Sequence, residues 1–312
     1  MLLGSRQLSN ENFIADQPVN STVRRLFEND RQGRDKSSPF FTNYLDAQSG
    51  IHWLRLRPDC PAKFTNELVS DLCDFHFNFS RHFTEDVNSI GQDSIPGYYV
   101  MTSDIDGVFN LGGDLSYFLE LIRAQNRDEL TLYARKCVRL VHQISNSFNL
   151  PLTTIALVKG NALGGGMEAA LSAQIIVAER HVKMGLPEVL FNMYPGMGAW
   201  HFLSQRLTPK AAEKFILSGK TYAVEELYEM GIVDYIAESG EGEEVVERLV
   251  RREKNQYLAA RNLRHAIRKD SSVSLKSMLE FVDQWVENAM SLQESDLNHM
   301  RYLIRSQRTR GF

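Results

Sequence analysis

The stretch Gly160–Ala173, GNALGGGMEAALSA, sets three consecutive glycines directly before a run of helix-forming residues, with Glu168 two positions past the last glycine. A helix start presents unpaired backbone N–H groups and the positive end of the helix dipole, so it can receive an anion or a developing negative charge. Glycine lets a ligand reach that backbone with no Cβ in the way. The same segment also fits a tight turn packed against a neighbouring strand. The rest of the chain has to separate these two readings.

On both sides of this stretch, short apolar runs alternate with helical patterns. IHWLRLR (51–57) alternates as a half-buried strand, and GYYVMTS (97–103), TTIALVKG (153–160), QIIVAER (174–180) and VDYIAE (233–238) are short and β-rich. Helix patterns cover Asn66–Phe83, Leu115–Ser147, Gly166–Ala173 and Thr208–Leu217; the last has Thr208 as N-cap, Pro209 at the first helical position and Gly219 after its end. This alternation predicts an α/β fold. Residues 1–40 are polar and charge-mixed and read as an N-terminal extension, residues 41–238 as the α/β core, and residues 239–312 as a helical C-terminal region without strand-like runs.

Composition narrows the function. The 312 residues are 43% apolar and 24% charged, ordinary for a globular protein, and the formal charge of −4 argues against nucleic acid or a membrane surface as the partner. Cys60, Cys73 and Cys137 lack metal spacing and cannot all pair, which predicts reduced thiols and a cytoplasmic protein. Neither a signal peptide nor a membrane span is expected. SGKT (218–221) has the ending of a phosphate-binding loop, but Lys214 stands where that motif needs glycine. No G-x-S-x-G or H-E-x-x-H occurs, so His76, His82 and His142 read as helix-surface or core residues, and no metal is expected. In GNALGG the second glycine of a dinucleotide fingerprint is Ala162, so no nucleotide site follows.

A second glycine turn, FNLGGDL (109–115), follows the apolar run ending at Ser103. Backbone N–H groups of Gly113 and Gly165 converging on one point would form an oxyanion hole. GLPEVLFNMYPGMG (185–198) then brings a second carboxylate, Glu188, 20 residues after Glu168. That spacing lets the chain return past the same helix end, though in an arbitrary protein a glutamate after proline is a surface or capping residue.

FNLGGDL, GNALGGGMEAAL and GLPEVLFNMYPGMGA together resemble the three signature segments of the crotonase (enoyl-CoA hydratase/isomerase) superfamily, and TPKAAEKFILSGKTYAVEELYEMGIVDYI resembles the stretch that follows them. The similarity spans roughly residues 45–240. Within the superfamily these segments most resemble the diffusible signal factor synthases of Gram-negative bacteria, which make cis-2-unsaturated fatty acids for cell–cell signalling. The resemblance implies a crotonase-like spiral of repeated ββα units with a helical C-terminal region. It places the oxyanion-hole amides on Gly113 and Gly165, the two catalytic carboxylates on Glu168 and Glu188, and substrate contacts on Leu111, Gly112, Leu163, Gly164, Met197 and Gly198. Leu111, where common hydratases carry a small residue, and the Asn192-Met193-Tyr194-Pro195 run depart from the plain hydratase pattern and favour the synthase branch.

The implied reaction is dehydration of a 3-hydroxyacyl thioester on acyl carrier protein or coenzyme A, then hydrolysis to the free fatty acid used in quorum sensing. Such a dehydratase and thioesterase requires no cofactor. An ordinary enoyl-CoA hydratase or 3-hydroxyacyl-CoA dehydratase is the alternative, and a non-catalytic lipid-sensing regulatory binder is another. The resemblance also implies a homo-oligomer, trimer or hexamer, and a sensor-kinase regulatory partner. Arg251, Arg252, Lys254, Arg261, Arg264, Arg268 and Lys269 read either as docking cations for an acidic carrier or as a solvated face. The aromatic run DFHFNF (74–79) reads as an acyl-tunnel wall or as packing core.

Overall fold

The computed structural model describes residues 38–46, 48–90, 97–253 and 257–309; most of the N-terminal extension and Lys254 lie outside them. Among the described residues ten strands form two sheets. The larger has the order β1(Phe41–Asp46)-β2(Ile51–Leu56)-β3(Tyr98–Ser103)-β5(Thr153–Val158)-β7(Ile175–Glu179)-β10(Tyr235–Ala237). Its strands run parallel except for the β1–β2 hairpin. The smaller has the order β4(Val108–Asn110)-β6(Asn161–Leu163)-β8(Lys183–Gly185)-β9(Thr221–Ala223), with β9 antiparallel. The chain visits the large sheet, steps to the small one, and returns through helix. β3 and β4 lead into α2(Leu115–Arg123) and α3(Arg127–Ser145), and β5 and β6 lead into α4(Gly165–Leu171). This is the spiral of ββα units.

Both faces of the large sheet are covered. Ile51, Trp53, Val100, Leu157 and Val177 pack under Val246, Leu249 and Val250 of α8(Gly242–Glu253). The opposite face meets α3, α4 and α1(Asn66–Ile90). A parallel strand covered on both sides needs a continuous apolar run, and TTIALV is one. β2 therefore departs from the expected half-buried alternation, since five of its six residues are buried. His52 enters the aromatic core, its ring parallel to Tyr99 at 6.0 Å between centroids, and Arg55 lies 4.6 Å over the Trp53 ring.

From DFHFNF, Phe75, His76 and Phe79 belong to that core, whereas Phe77 is exposed. His76 Nε2 and the Tyr99 hydroxyl share a hydrogen bond of 3.0 Å, and Phe79 packs on Tyr99, Phe83 and Phe148. Burial pushes both His52 and His76 down to about 3, so both rings are neutral inside the fold. His142, in the last turn of its helix, has its Nε2 within hydrogen-bond distance of Asn146 Nδ2 and the Val273 carbonyl; the side chain of His82 lies outside the described residues.

The single helix expected over Leu115–Ser147 is two. Gln125 turns into the left-handed region at φ 53°, and the Asn126 side chain accepts the Glu129 N–H as N-cap of α3. After α5(Ala199–Arg206) comes α6(Pro209–Ser218), capped by Thr208 and closed by left-handed Gly219 as its sequence indicates. Short α7(Val224–Glu229) precedes β10, and α8, α9(Tyr257–Asp270), α10(Leu275–Met290) and α11(Glu294–Thr309) complete the chain. Of the C-terminal cations, Arg251 pairs with Glu247, Arg264 with Glu253, and Arg268 donates to the Leu150 carbonyl. These three cations are thus engaged within the chain. No helix among the described residues is long and apolar enough to cross a membrane.

The small sheet meets α4 at close quarters through β4. A Cβ on Gly166 would sit 2.0 Å from the Asn110 carbonyl oxygen, an overlap that only a shift of backbone can relieve. Gly166→Ala is therefore expected to lower stability by about 1–3 kcal/mol, the usual cost of overpacking. Denaturant unfolding measures it, and wild-type stability in that variant would mean β4 and α4 do not need this contact.

Candidate active site

A cavity of about 260 Å³ opens where the three glycine-bearing segments meet. Leu111, Gly112 and Gly113 form one wall, Leu163, Gly164 and Gly165 a second, and Glu168, Glu188 and Met197 a third. The structure thus assembles all but one of the site residues indicated by the sequence. Gly198 is not in the lining; it holds the turn before α5, packed against Phe202 and Met278.

Close approach of the glycine turns explains their composition. Gly112 has φ +96° and Gly164 φ +54°, both unfavourable for residues with side chains. A Cβ on Gly112 would stand 2.9 Å from the Gly165 nitrogen, and one on Gly164 would stand 2.7 Å from Glu188 Oε1. The ideal Cβ position of Gly165 lies 3.6 Å from the Gly113 nitrogen, so the two amides are neighbours. Neither the Gly113 nor the Gly165 N–H has an acceptor among the described residues, whereas the Gly164 N–H between them donates to the Gly185 carbonyl at 2.9 Å. Two unspent donors side by side at an apolar cavity can hold one oxyanion.

The carboxyls sit in unlike surroundings. Glu168, on the first turn of α4 and 1% exposed, accepts the Met197 N–H at 2.7 Å and the Ala199 N–H at 2.9 Å, both on Oε1. Burial raises its pKa to about 7, against the pull of those donors and of the Gly198 N–H toward the charged form. Glu188 lies on the 3-10 turn Pro187–Phe191, and its Oε2 is buried with no partner among the described residues. Burial first, and repulsion from Glu168 second, hold its carboxyl well above the usual range. When the pair carries one negative charge, Glu168 with its backbone donors is therefore the favoured holder of it and Glu188 of the proton. Among the described residues, no group of three or more His, Cys, Asp or Glu is placed to hold a metal ion.

The far wall was not legible in the sequence. Phe118 from α2, Tyr133 and Cys137 from α3, and Trp285 and Leu303 from α10 and α11 complete the cavity. Their apolar periodicity marks buried helix faces without saying what they face. The three cysteines are free, and burial pushes the Cys137 thiol up, leaving it protonated. None of the lining side chains is basic.

Known proteins share this architecture. The mitochondrial methylglutaconyl-CoA hydratase of Mus musculus is 27% identical over 164 residues, which are 53% of this chain and 50% of that one; the chain thus spans about half the length of that relative. Among solved structures, an enoyl-CoA hydratase from Bacillus halodurans superposes with a TM-score of 0.70 at 20% identity, covering 84% of this chain and 99% of that one. Pseudomonas aeruginosa DspI gives a TM-score of 0.61 at 21% identity, covering 79% and 88%. The family model described as enoyl-CoA hydratase/isomerase matches residues 75–307, a span holding both glycine turns, both glutamates and the helices that close the cavity. The chain belongs to the enoyl-CoA hydratase/isomerase family.

Proposed function

We propose that this protein dehydrates a 3-hydroxyacyl thioester and hydrolyses the cis-2-enoyl product to a free fatty acid, as the signal factor synthases do. The observation that carries the dehydration is the buried Glu168–Glu188 pair, holding one proton beside two unspent backbone donors. The synthase branch rests on the segments FNLGGDL, GGGMEAAL and PEVLFNMYPGMGA, and an apolar cavity without a basic residue suits a hydrocarbon chain.

The thioester carbonyl oxygen would lie between the Gly113 and Gly165 N–H groups. Removing the α-proton places negative charge on that oxygen, and two fixed donors stabilise it without reorganising, each contributing about 10²–10³ in rate. Glu168, ionised at rest, takes the α-proton; Glu188, protonated at rest, gives its proton to the departing 3-hydroxyl. Water leaves with the C2=C3 bond in place, carrying the proton of Glu188, and Glu168 holds the former α-proton. Glu168 loses its proton to solvent and Glu188 regains one, which resets the pair. Ionised Glu168 can then activate water against the thioester carbonyl, and the carrier thiol leaves as the free acid forms. The protein is expected to be a cytoplasmic homo-oligomer. The carrier would be acyl carrier protein, with coenzyme A as the alternative handle of the family reaction.

Medium-chain 3-hydroxyacyl thioesters of both carriers, with products read by mass spectrometry, test this. Free cis-2-enoic acid is the expected product, released faster from the carrier protein and more slowly as salt rises. Only hydrated or dehydrated thioester would make the protein an ordinary hydratase, and no turnover of any thioester would leave a lipid binder.

Gly165→Val should fold and lose turnover, because its first side-chain atom would meet Met197 Sδ within 2.8 Å, beside the amide it has to present. A variant at the wild-type rate would remove that amide from the mechanism.

Glu168→Gln and Glu188→Gln should each bind thioester and lose about 10² or more of the dehydration rate. The double variant should be little worse than the poorer single one, since the two serve one proton cycle.

The acid limb of the rate profile should fall as pH drops below about 7, where Glu168 takes up a proton. The same shift sets stability. Because the folded pKa of Glu168 is raised from 4.5 to about 7, its stabilising share is complete below 4.5 and is lost as pH rises through 7. Glu168→Gln, with nothing to ionise and a carbonyl for the Met197 and Ala199 N–H groups, should melt above the wild type at pH 8. A lower melting temperature there would contradict the burial argument.

A further inference from the structure

We propose that Asn110 is a positioning residue that aims the Gly113 amide into the cavity, an assignment that rests on the oxyanion-hole reading above. Between β4 and α2 the chain runs Asn110-Leu111-Gly112-Gly113, and its turn is pinned bond by bond. The Leu111 N–H donates to the Ala62 carbonyl at 2.8 Å, and the Phe64 N–H donates to the Gly112 carbonyl at 2.8 Å. The Gly112 N–H donates to Asn110 Oδ1, also at 2.8 Å. The Gly113 N–H has no acceptor among the described residues.

In a trans peptide the C=O and the following N–H point opposite ways. Phe64, holding the Gly112 carbonyl, therefore turns the Gly113 N–H away from itself and toward the cavity. That peptide plane is only as steady as the residue it hangs from, and Gly112 is a glycine with φ +96°. Asn110 supplies the second anchor by fixing the peptide plane on the other side of Gly112. With both planes held, the rotational freedom of the glycine is removed.

The rest of the Asn110 side chain makes packing an insufficient explanation for its presence. Asn110 is 1% exposed, and its Nδ2 is buried with no partner among the described residues. The Gly112 N–H requires the oxygen end of the amide to face it, so the orphaned donor cannot be flipped away. An apolar residue would avoid that unpaired group, but only an acceptor can hold the Gly112 N–H. The turn keeps the acceptor.

The test compares Asn110→Leu, which keeps the volume and removes the acceptor, with Asn110→Ser, whose hydroxyl can accept an N–H two residues on. Two readouts are taken: steady-state kinetics, and the red shift in absorption of a bound 2-enoyl thioester as the oxyanion donors polarise its carbonyl. Asn110→Leu should lower kcat by about 10- to 100-fold, less than complete loss of a donor, with KM within about threefold and a diminished red shift. Its melting temperature should equal or exceed that of the wild type, and Asn110→Ser should recover most of both kcat and red shift. Wild-type kcat and red shift in Asn110→Leu would overturn the assignment, as would a lowered melting temperature with both readouts intact. Should Asn110→Leu fail to fold, Asn110→Ala carries the same comparison. A wild-type protein that neither turns over nor polarises any thioester would instead overturn the oxyanion-hole reading, and this assignment with it.

Discussion

The Asn110 carbonyl rests on Gly166 with no room for a side chain between them, and the arrangement of the site follows from that contact. It sets the end of β4 against the start of α4, which makes the Gly113 and Gly165 amides neighbours. Pairing of β6 with β8 then carries the constraint onward, because the Gly164 N–H donates to the Gly185 carbonyl two residues before Pro187. The turn bearing Glu188 is delivered to the same place. A glycine at 166 is thus a condition for three segments, separated in sequence by up to 86 residues between Leu111 and Met197, to meet around one cavity.

The two carboxyls show how one apolar cavity can hold unlike acids. Burial acts on both, but Glu168 also receives backbone donors from the turn before α5, whereas Glu188 has a bare Oε2 and a charged neighbour. Their difference is made by main-chain geometry and not by a positive side chain. Among the described residues no lysine or arginine lines the cavity to fix either group permanently in its charged form. The pair keeps a movable proton at the expense of stability, in line with the tension between function and stability at buried ionisable groups.

Much of this was legible in the sequence where a local rule is strong. TTIALV could hardly be anything but a buried strand, Thr208 and Pro209 open a helix, and the glycine turns with their two glutamates stand out as ordered segments. The three-residue strands β4, β6, β8 and β9 were not, because three residues carry no measurable period. IHWLRLR looked half-exposed because His52 and Arg55 are polar by type, yet one is neutral in an aromatic core and the other lies over Trp53. Gly198 sat inside a matching motif, so its place in the cavity lining was inferred from company; in the fold it shapes the turn that serves Glu168. Trp285 and Leu303 were invisible as site residues, since amphipathic periodicity tells that a face is buried and leaves its counterpart unnamed.

The last two helices close the cavity and are fastened to α2 and α3 by ion pairs of Arg123 with Glu294, Arg127 with Glu287, and Arg135 with Asp283. Exposed pairs of this kind add little stability singly, but each joins residues that are synthesised far apart. A ribosome making this chain has delivered both glycine turns and both glutamates well before it reaches Trp285. Until then the nascent core carries an apolar concavity with one wall missing, a surface that invites chaperones or unwanted association. Completion of the pocket therefore waits for α10 and α11 to be synthesised, and a chain cut short before α10 would leave that concavity open.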